Sequence, residues 1–322
     1  MAFLFGLILL LALVIAGLVW FSANTARRVE AMVPPRGQFM EIDGQRIHYV
    51  DSGGNKPPVV MIHGLGGNLL HYGYAMADKL SNDFRVILVD RPGSGYSTRR
   101  DDAQATLTVQ AATIATLIRK LGLGKPLVVG HSLGGALSLA LALDHPDCVG
   151  GLTLLAPLTH AQEEVPEVFK GIVIASPLVR KAIAATVATP LGILRGQKLV
   201  AQVFAPEPAP ADFPIRGGGI LGLRPRAFYA TSTDIMAISD VLPGYVARYK
   251  ELAVPMGMLY GKGDRLLDYR RHGDAMKATC PALDLEVMEG GHMLPITVPD
   301  RCAAVVRRVA ERQRGAQRRD AQ

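Results

Sequence analysis

Pro126-Leu-Val-Val-Gly-His-Ser-Leu-Gly-Gly135 is the stretch that decides how this chain reads. An apolar run, Leu127–Val129, leads into a Gly-x-Ser-x-Gly pattern made by Gly130, Ser132 and Gly134, and an Ala/Leu-rich stretch over 133–144 follows. Glycines alone would mark only a turn. A buried strand in front and a helix behind make it a sharp strand-to-helix turn, which needs small neighbours. Such a turn lifts the serine hydroxyl clear of the backbone at a helix N-terminus. There the N–H of Leu133 can point at developing negative charge.

Working outward, apolar runs of four to six residues alternate with helical patterns. The runs are Val59–Ile62, Arg85–Val89, Leu127–Val129, Leu152–Leu155, Met256–Leu259 and Leu285–Val287. They read as strands of a parallel sheet buried on both faces. Helices are predicted near 72–80, 105–121, 133–144, 267–278 and 298–313. Before them, Phe39–Ile42 and Arg46–Val50 flank Asp43-Gly44, a hairpin signal. The fold class is therefore α/β: a mostly parallel, doubly wound sheet opened by an antiparallel hairpin. From 158 to 250 the rhythm breaks. Helical patterns over 167–188, 193–204 and 234–249 surround a proline-rich break at Pro206–Pro210 and three glycines at Gly217–Gly219. This stretch reads as a helical cap inserted in a core made of 37–157 and 251–312.

A serine hydroxyl needs a base to take its proton. His292, in Glu289-Gly-Gly-His-Met-Leu-Pro295, follows the last apolar run, where α/β sheets build sites. His160 and His272 are the rivals. His272 falls among Arg270 and Arg271 in a polar helix and reads as a surface residue. An imidazole base needs a carboxylate to fix its tautomer. Asp264, in Tyr260-Gly-Lys-Gly-Asp264, precedes His292 in the order Ser, Asp, His. It could also merely cap the next helix, inside which Asp268 and Asp274 are expected. A second oxyanion donor is expected from His63-Gly64-Leu65-Gly66-Gly67, with the Leu65 N–H as candidate and His63 bracing the loop.

These residues together resemble the α/β-hydrolase superfamily over about 38–312, with Asp90–Ser97 similar to the family's loop after the fourth strand. The resemblance implies an α/β-hydrolase fold with a cap, and hydrolysis through Ser132, His292 and Asp264. Related epoxide hydrolases and haloalkane dehalogenases carry an aspartate nucleophile, so a serine at 132 points to the serine esterase and lipase branch. Within it the chain resembles membrane-anchored bacterial lipases and monoacylglycerol lipases. The expected reaction is cleavage of lipid-like or other apolar acyl esters, with no cofactor and no metal. The same triad could instead serve C–C bond hydrolysis, thioester cleavage, aminopeptidase action or perhydrolysis. A non-catalytic binding protein on this fold is the remaining alternative.

Ala2–Phe21 carries no charge over 20 residues, about 30 Å of helix and enough to cross a bilayer. No Lys or Arg precedes it, and Asn24-Thr25-Ala26 is a poor cleavage site, so residues 1–36 read as a retained anchor and linker rather than a cleaved signal. Arg27, Arg28 and Arg36 after the run place the domain on the cytoplasmic side. The net charge is +7, and Arg301 to Gln322 holds seven arginines against Glu311 and Asp320. That basic end lacks interleaved aromatics, which argues against nucleic acid. Residues 313–322 are expected as a frayed, solvated tail. Cys148, Cys280 and Cys302 form no C-x-x-C pair and imply no disulfide framework. The expected partners are thus a small-molecule or lipid ester and a membrane.

Overall fold

The computed structural model describes residues 1–162 and 164–320. Glu163, in the expected cap, and residues 321–322, in the expected tail, lie outside the described residues. The chain opens with helix α1 (Ala2–Met32), followed by the hairpin β1 (Gln38–Ile42) and β2 (Gln45–Asp51). Asp43 and Gly44 both take positive φ between them, as a tight hairpin turn requires. Then come β3 (Pro58–Ile62), α2 (Leu70–Gly73), α3 (Met76–Leu80), β4 (Arg85–Val89) and α4 (Leu107–Lys120). The turn around Ser132 joins β5 (Leu127–His131) to α5 (Leu133–Asp144), and β6 (Gly151–Leu155) follows.

The eight-stranded sheet runs β1-β2-β4-β3-β5-β6, then two strands from the far end of the chain, β7 (Met256–Gly261) and β8 (Asp284–Met288). Pairing is antiparallel for β1/β2 and β2/β4 and parallel from β4 to β8. β5 sits near the middle, and every one of its residues is buried. α5 is buried from Leu133 to Leu143, which is why it is apolar all round rather than on one stripe. Shortening a fully buried side chain there, as in Leu137→Ala, would cost about 2–5 kcal/mol. β8 departs from the expectation of burial on both faces. It is an edge strand with one neighbour and is half-buried throughout. Its Asp284 and Glu286 pair with Arg308 instead of facing the core.

Between β6 and β7 the chain is helical: α6 (Pro177–Ala185), α7 (Ala188–Phe204), α8 (Phe213–Arg216) and α9 (Pro225–Arg248). This insertion contains no strand among the described residues, as its pattern suggested. After β7 come a π-helical turn at Arg270–Asp274, α10 (Ala275–Thr279), β8, α11 (Leu294–Thr297) and α12 (Pro299–Asp320). α12 runs past the expected helix end at 313, to Asp320. Its side-chain bonds to the rest of the domain reach Arg312, on the carbonyls of Met256 and Ala282, and Gln313, on that of Lys125.

α1 is a candidate transmembrane helix, 31 residues long, whose most apolar stretch is wholly exposed. Its last third behaves differently. Ser22, Val29 and Val33 are buried against the folded domain.

Candidate active site

Four loops at the C-terminal edge of the sheet converge on Ser132 from three sides. The first is the turn after β5. Ser132 has φ 55° and ψ −121°, a conformation a non-glycine residue adopts only when its surroundings impose it, at about 1–3 kcal/mol. Its backbone is pinned on both sides: its N–H donates to the Leu155 carbonyl at 3.0 Å, and its carbonyl accepts from Gly135 and Leu158 at 2.9 Å each. The glycine at 134 is dictated by contact, because a Cβ there would stand 2.1 Å from the Ile62 carbonyl oxygen. Leu133 begins α5, so its N–H is among the unpaired donors of a helix N-terminus.

The loop after β3 approaches from the other side. A Cβ on Gly64 would lie 2.9 Å from the Ser132 Cβ, so only glycine lets this backbone come so close. Gly66 takes φ 64° at the next bend. His63 is bonded on both ring nitrogens. Its Nε2 accepts from the Arg91 N–H at 3.0 Å, and its Nδ1–H donates to the Gly64 carbonyl at 2.8 Å. Burial, with the Arg91 charge alongside, pushes His63 well below the usual imidazole range, so it stays neutral. Arg91 itself is fully buried and reaches Asp234 on α9 at 2.8 Å, tying this loop to the insertion.

The loops after β7 and β8 supply the third side. His292 Nδ1 lies 2.7 Å from Asp264 Oδ2, and both side chains are buried. Asp264 Oδ1 also accepts from the N–H groups of Leu266 and Leu267 at 2.8 and 3.0 Å. The capping role and the imidazole contact thus coexist on one carboxylate. The two loops are laced together by Lys262 N–H to Met288 O and Gly263 N–H to Gly290 O, both 2.8 Å.

The rivals fall elsewhere. Asp268 precedes its helical turn rather than lying within it, and its exposed carboxylate accepts from the Arg270 N–H. Asp274 closes the π-helical turn. His160 is half-buried beside Tyr249 and His272. His272 is a correction to its expected surface position. It is fully buried, because the π-helical turn swings it inward, where Nδ1 accepts from the Thr159 N–H at 3.2 Å. Burial, with His160 and Arg271 nearby, lowers its pKa to about 4.

Three contributors were not singled out from the sequence. His131, the residue before Ser132, donates from Nε2 to the His292 carbonyl at 2.9 Å and lies 4.8 Å from that ring. Burial and the neighbouring His292 hold it well below the usual range. It therefore sets the His292 backbone without competing for its proton. Glu207, in the proline-rich break, accepts the Gly291 N–H on both oxygens at 3.1 and 3.0 Å. His71 lines the site, and burial lowers its pKa to about 4. The His131 signal was its place inside the motif; Glu207 and His71 had none, since only the fold brings them near.

Ser132 stands between two cavities. One, about 250 Å³, is walled by Val203, Phe204, Phe213, His292 and Met293. The other, about 330 Å³, is walled by Leu158, Ile235, Ile238 and Leu242. Leu65, Phe169 and Leu266 border both, and among the described residues no Lys or Arg lines either one. A larger cavity of about 650 Å³ beside Arg99, Lys181 and Tyr229 touches none of Ser132, Asp264 and His292. Among the described residues no group of three His, Cys, Asp or Glu side chains is placed to hold a metal ion. The three cysteines are free and buried.

Residues 57–299 match the family model described as the alpha/beta hydrolase fold. The chain is 36% identical over 121 residues to the dihydrolipoyllysine-residue acetyltransferase component of an acetoin cleaving system from Cupriavidus necator, a match covering 38% of this chain and 32% of that protein. The chain thus spans about a third of that relative's length. It is 28% identical over 229 residues to a 2-hydroxy-6-oxononadienedioate/2-hydroxy-6-oxononatrienedioate hydrolase from Burkholderia vietnamiensis, covering 69% of this chain and 76% of that one. Among solved structures it is similar to a membrane phospholipase A described as a bacterial virulence factor. That likeness has a TM-score of 0.67 and 25% identity over 97% of this chain and 99% of the other.

Proposed function

The chain belongs to the alpha/beta hydrolase fold family, and from that premise we propose that it is a membrane-anchored serine hydrolase cleaving carboxylic esters of apolar acyl groups. The observation that carries this reading is the buried Asp264–His292 pair at 2.7 Å, on the cavity that also holds the strained Ser132. With Nδ1–H held by Asp264, Nε2 is left as the base. In the proposed reaction His292 Nε2 takes the Ser132 hydroxyl proton as Oγ attacks the ester carbonyl. The N–H groups of Leu65 and Leu133 stabilise the oxyanion. Collapse expels the alcohol, which receives the proton from His292. Water, activated by the same imidazole, then releases the acid and restores Ser132. The two apolar cavities suit an acyl chain on one side of the scissile bond and the alcohol on the other.

C–C bond hydrolysis has support from the relative that acts on dienedioates. A dicarboxylate buried beside Ser132 would need cationic partners, and among the described residues no Lys or Arg lines either cavity. That favours the ester reading. In the same proposal residues 158–250 form the cap, 1–36 the anchor and linker, and 37–157 with 251–312 the core. Arg27, Arg28 and Arg36 put the core on the cytoplasmic face; an alkaline phosphatase fused to the C-terminus and active outside the inner membrane would reverse that orientation.

The deciding experiment is hydrolysis of p-nitrophenyl esters from acetate to palmitate by the full chain in detergent micelles, beside Ser132→Ala. Activity is expected to peak at medium or long chains and to fall about 10⁶-fold in the variant. No turnover of any ester, together with no labelling of Ser132 by a fluorophosphonate, would sink the reading.

A further inference from the structure

The uncharged run of α1 ends at Phe21, and the next residue is where the helix first touches the domain. Ser22 is buried, and its hydroxyl donates to the Thr186 carbonyl at 3.0 Å. Thr186 lies in the joint between α6 and α7, whose axes diverge by 78°. Further along α1, Val29 and Val33 pack with Tyr96 and Leu221. Glu30 pairs with Arg224 at 3.1 Å, and the Tyr96 hydroxyl bonds the Val33 carbonyl. These contacts fix the span to the domain at a set depth. The end of the span is level with the α6–α7 joint.

Around that joint large apolar side chains face outward. Leu178 and Leu194 are each 80% exposed, and Val179, Leu191 and Ile193 are exposed beside them. An apolar cluster of this kind on a water-facing surface marks an interaction site. The charges on α6 and α7 themselves have one sign; the one acidic partner they meet among the described residues, Asp102, pairs with the buried Arg180. Between Glu167 and Glu207 the sequence holds Lys170, Arg180, Lys181, Arg195 and Lys198 and no acidic residue; Lys181, Arg195 and Lys198 are exposed. Apolar tips flanked by lysine and arginine suit the boundary between acyl chains and anionic headgroups. Further along α7, Leu199, Val200, Val203 and Phe204 turn the other way and line the cavity that holds Ser132.

We propose that the α6–α7 bend is a second membrane contact, lying in the interfacial layer of the bilayer that α1 spans. Leu178, Leu191, Ile193 and Leu194 sit among acyl chains, and Lys181, Arg195 and Lys198 meet anionic headgroups. α7 is then the wall between the lipid and the Ser132 cavity, so a lipid ester reaches the serine from the membrane side. The contact rests on α1 being a retained span, and its consequence for substrate rests on the ester reading.

The test uses the full chain in vesicles of phosphatidylethanolamine and phosphatidylglycerol. Leu194→Cys, Leu178→Cys, Leu13→Cys and Arg119→Cys are each labelled with an environment-sensitive dye, the native cysteines being buried. Quenching by doxyl-labelled lipid is then read. Dyes at 13, 178 and 194 are expected to be quenched several-fold, and the dye at 119, at the opposite edge of the sheet, to be unaffected. Quenching at 13 without quenching at 178 and 194 overturns the second contact and keeps the anchor; no quenching at 13 overturns both. An apolar environment at 194 that lipid-borne quencher cannot reach would mean a second copy covers the face, which also overturns the proposal. Leu178→Asp/Leu194→Asp is expected to lower hydrolysis of a vesicle-embedded long-chain ester about tenfold while leaving a soluble acetate ester unchanged. Equal activity on both esters would remove the membrane route. No hydrolysis by the unsubstituted chain would remove the ester reading, leaving the quenching result to stand alone.

Discussion

Two buried aspartate–histidine pairs in this molecule have the same separation and different consequences. Asp264 and His292 lie 2.7 Å apart, and so do Asp90 and His48. Around Asp90 every polar atom is engaged. Its oxygens also accept from the N–H groups of Leu69 and Tyr96 at 2.7 Å each, and His48 Nε2 bonds the Arg36 carbonyl at 2.7 Å. The pair is a closed knot that binds the segment after α1 to β2 and to the loop after β4. Around Asp264 the carboxylate is equally satisfied, but among the described residues none takes up the His292 Nε2. The carboxylate–imidazole contact is common to both; only at His292 is a ring nitrogen left over, on the cavity that Ser132 also lines.

The comparison can be broken or sharpened by substitution. Asp264→Asn should lower kcat about 10⁴-fold by favouring the wrong imidazole tautomer, with a melting temperature close to the parent's. A loss under tenfold would mean Asp264 is no more than a cap for Leu266 and Leu267. Asp90→Ala should do the reverse. It leaves the donors at Leu69, Tyr96 and His48 unpaired and should cost about 3–5 kcal/mol of stability in denaturant titration. Turnover per folded molecule should be retained; its disappearance in a folded variant would put the second pair in the reaction and end the contrast.

The smallest effect comes from a third imidazole that belongs to neither pair. His272 has a pKa of about 4 in the folded chain, through burial, against an ordinary value near 6.5 when unfolded. Below pH 6.5 the unfolded chain therefore binds a proton that the folded chain refuses. The stabilisation is full above pH 6.5 and is lost as pH falls towards 4. Between pH 7 and 5 this amounts to on the order of 2 kcal/mol. His272→Asn should flatten that part of the melting-temperature profile, and an unchanged profile would show that other groups set it.

The sequence was legible where one local rule applied. The strand-to-helix context of Gly130–Gly134 marked Ser132, and chain order with strand ends selected Asp264 and His292. The roles of these residues in a reaction, and the donors at Leu65 and Leu133, await the experiments above. Burial of His272 was not legible, because Arg270 and Arg271 beside it imitate a solvated face and only the π-helical turn aims the ring inward. Nor was the continuation of α12 past 313 to Asp320, because an arginine-rich, solvated end carries no apolar stripe from which a helix can be read.

By itself the sequence determined the alternation of buried runs and helices, the sharp turn at Ser132, the long apolar opening helix and the strandless insertion. These follow from periodicity and backbone sterics, which act over a few residues. Tertiary structure alone decided that Glu207 holds the loop of His292, that His131 braces that residue's backbone, and that Ser22, just past the uncharged run of α1, ties that helix to the α6–α7 joint. Each of these joins residues more than 80 positions apart. No local pattern encodes such a contact, because it exists only once the hydrophobic effect has closed the sheet and brought the loops together.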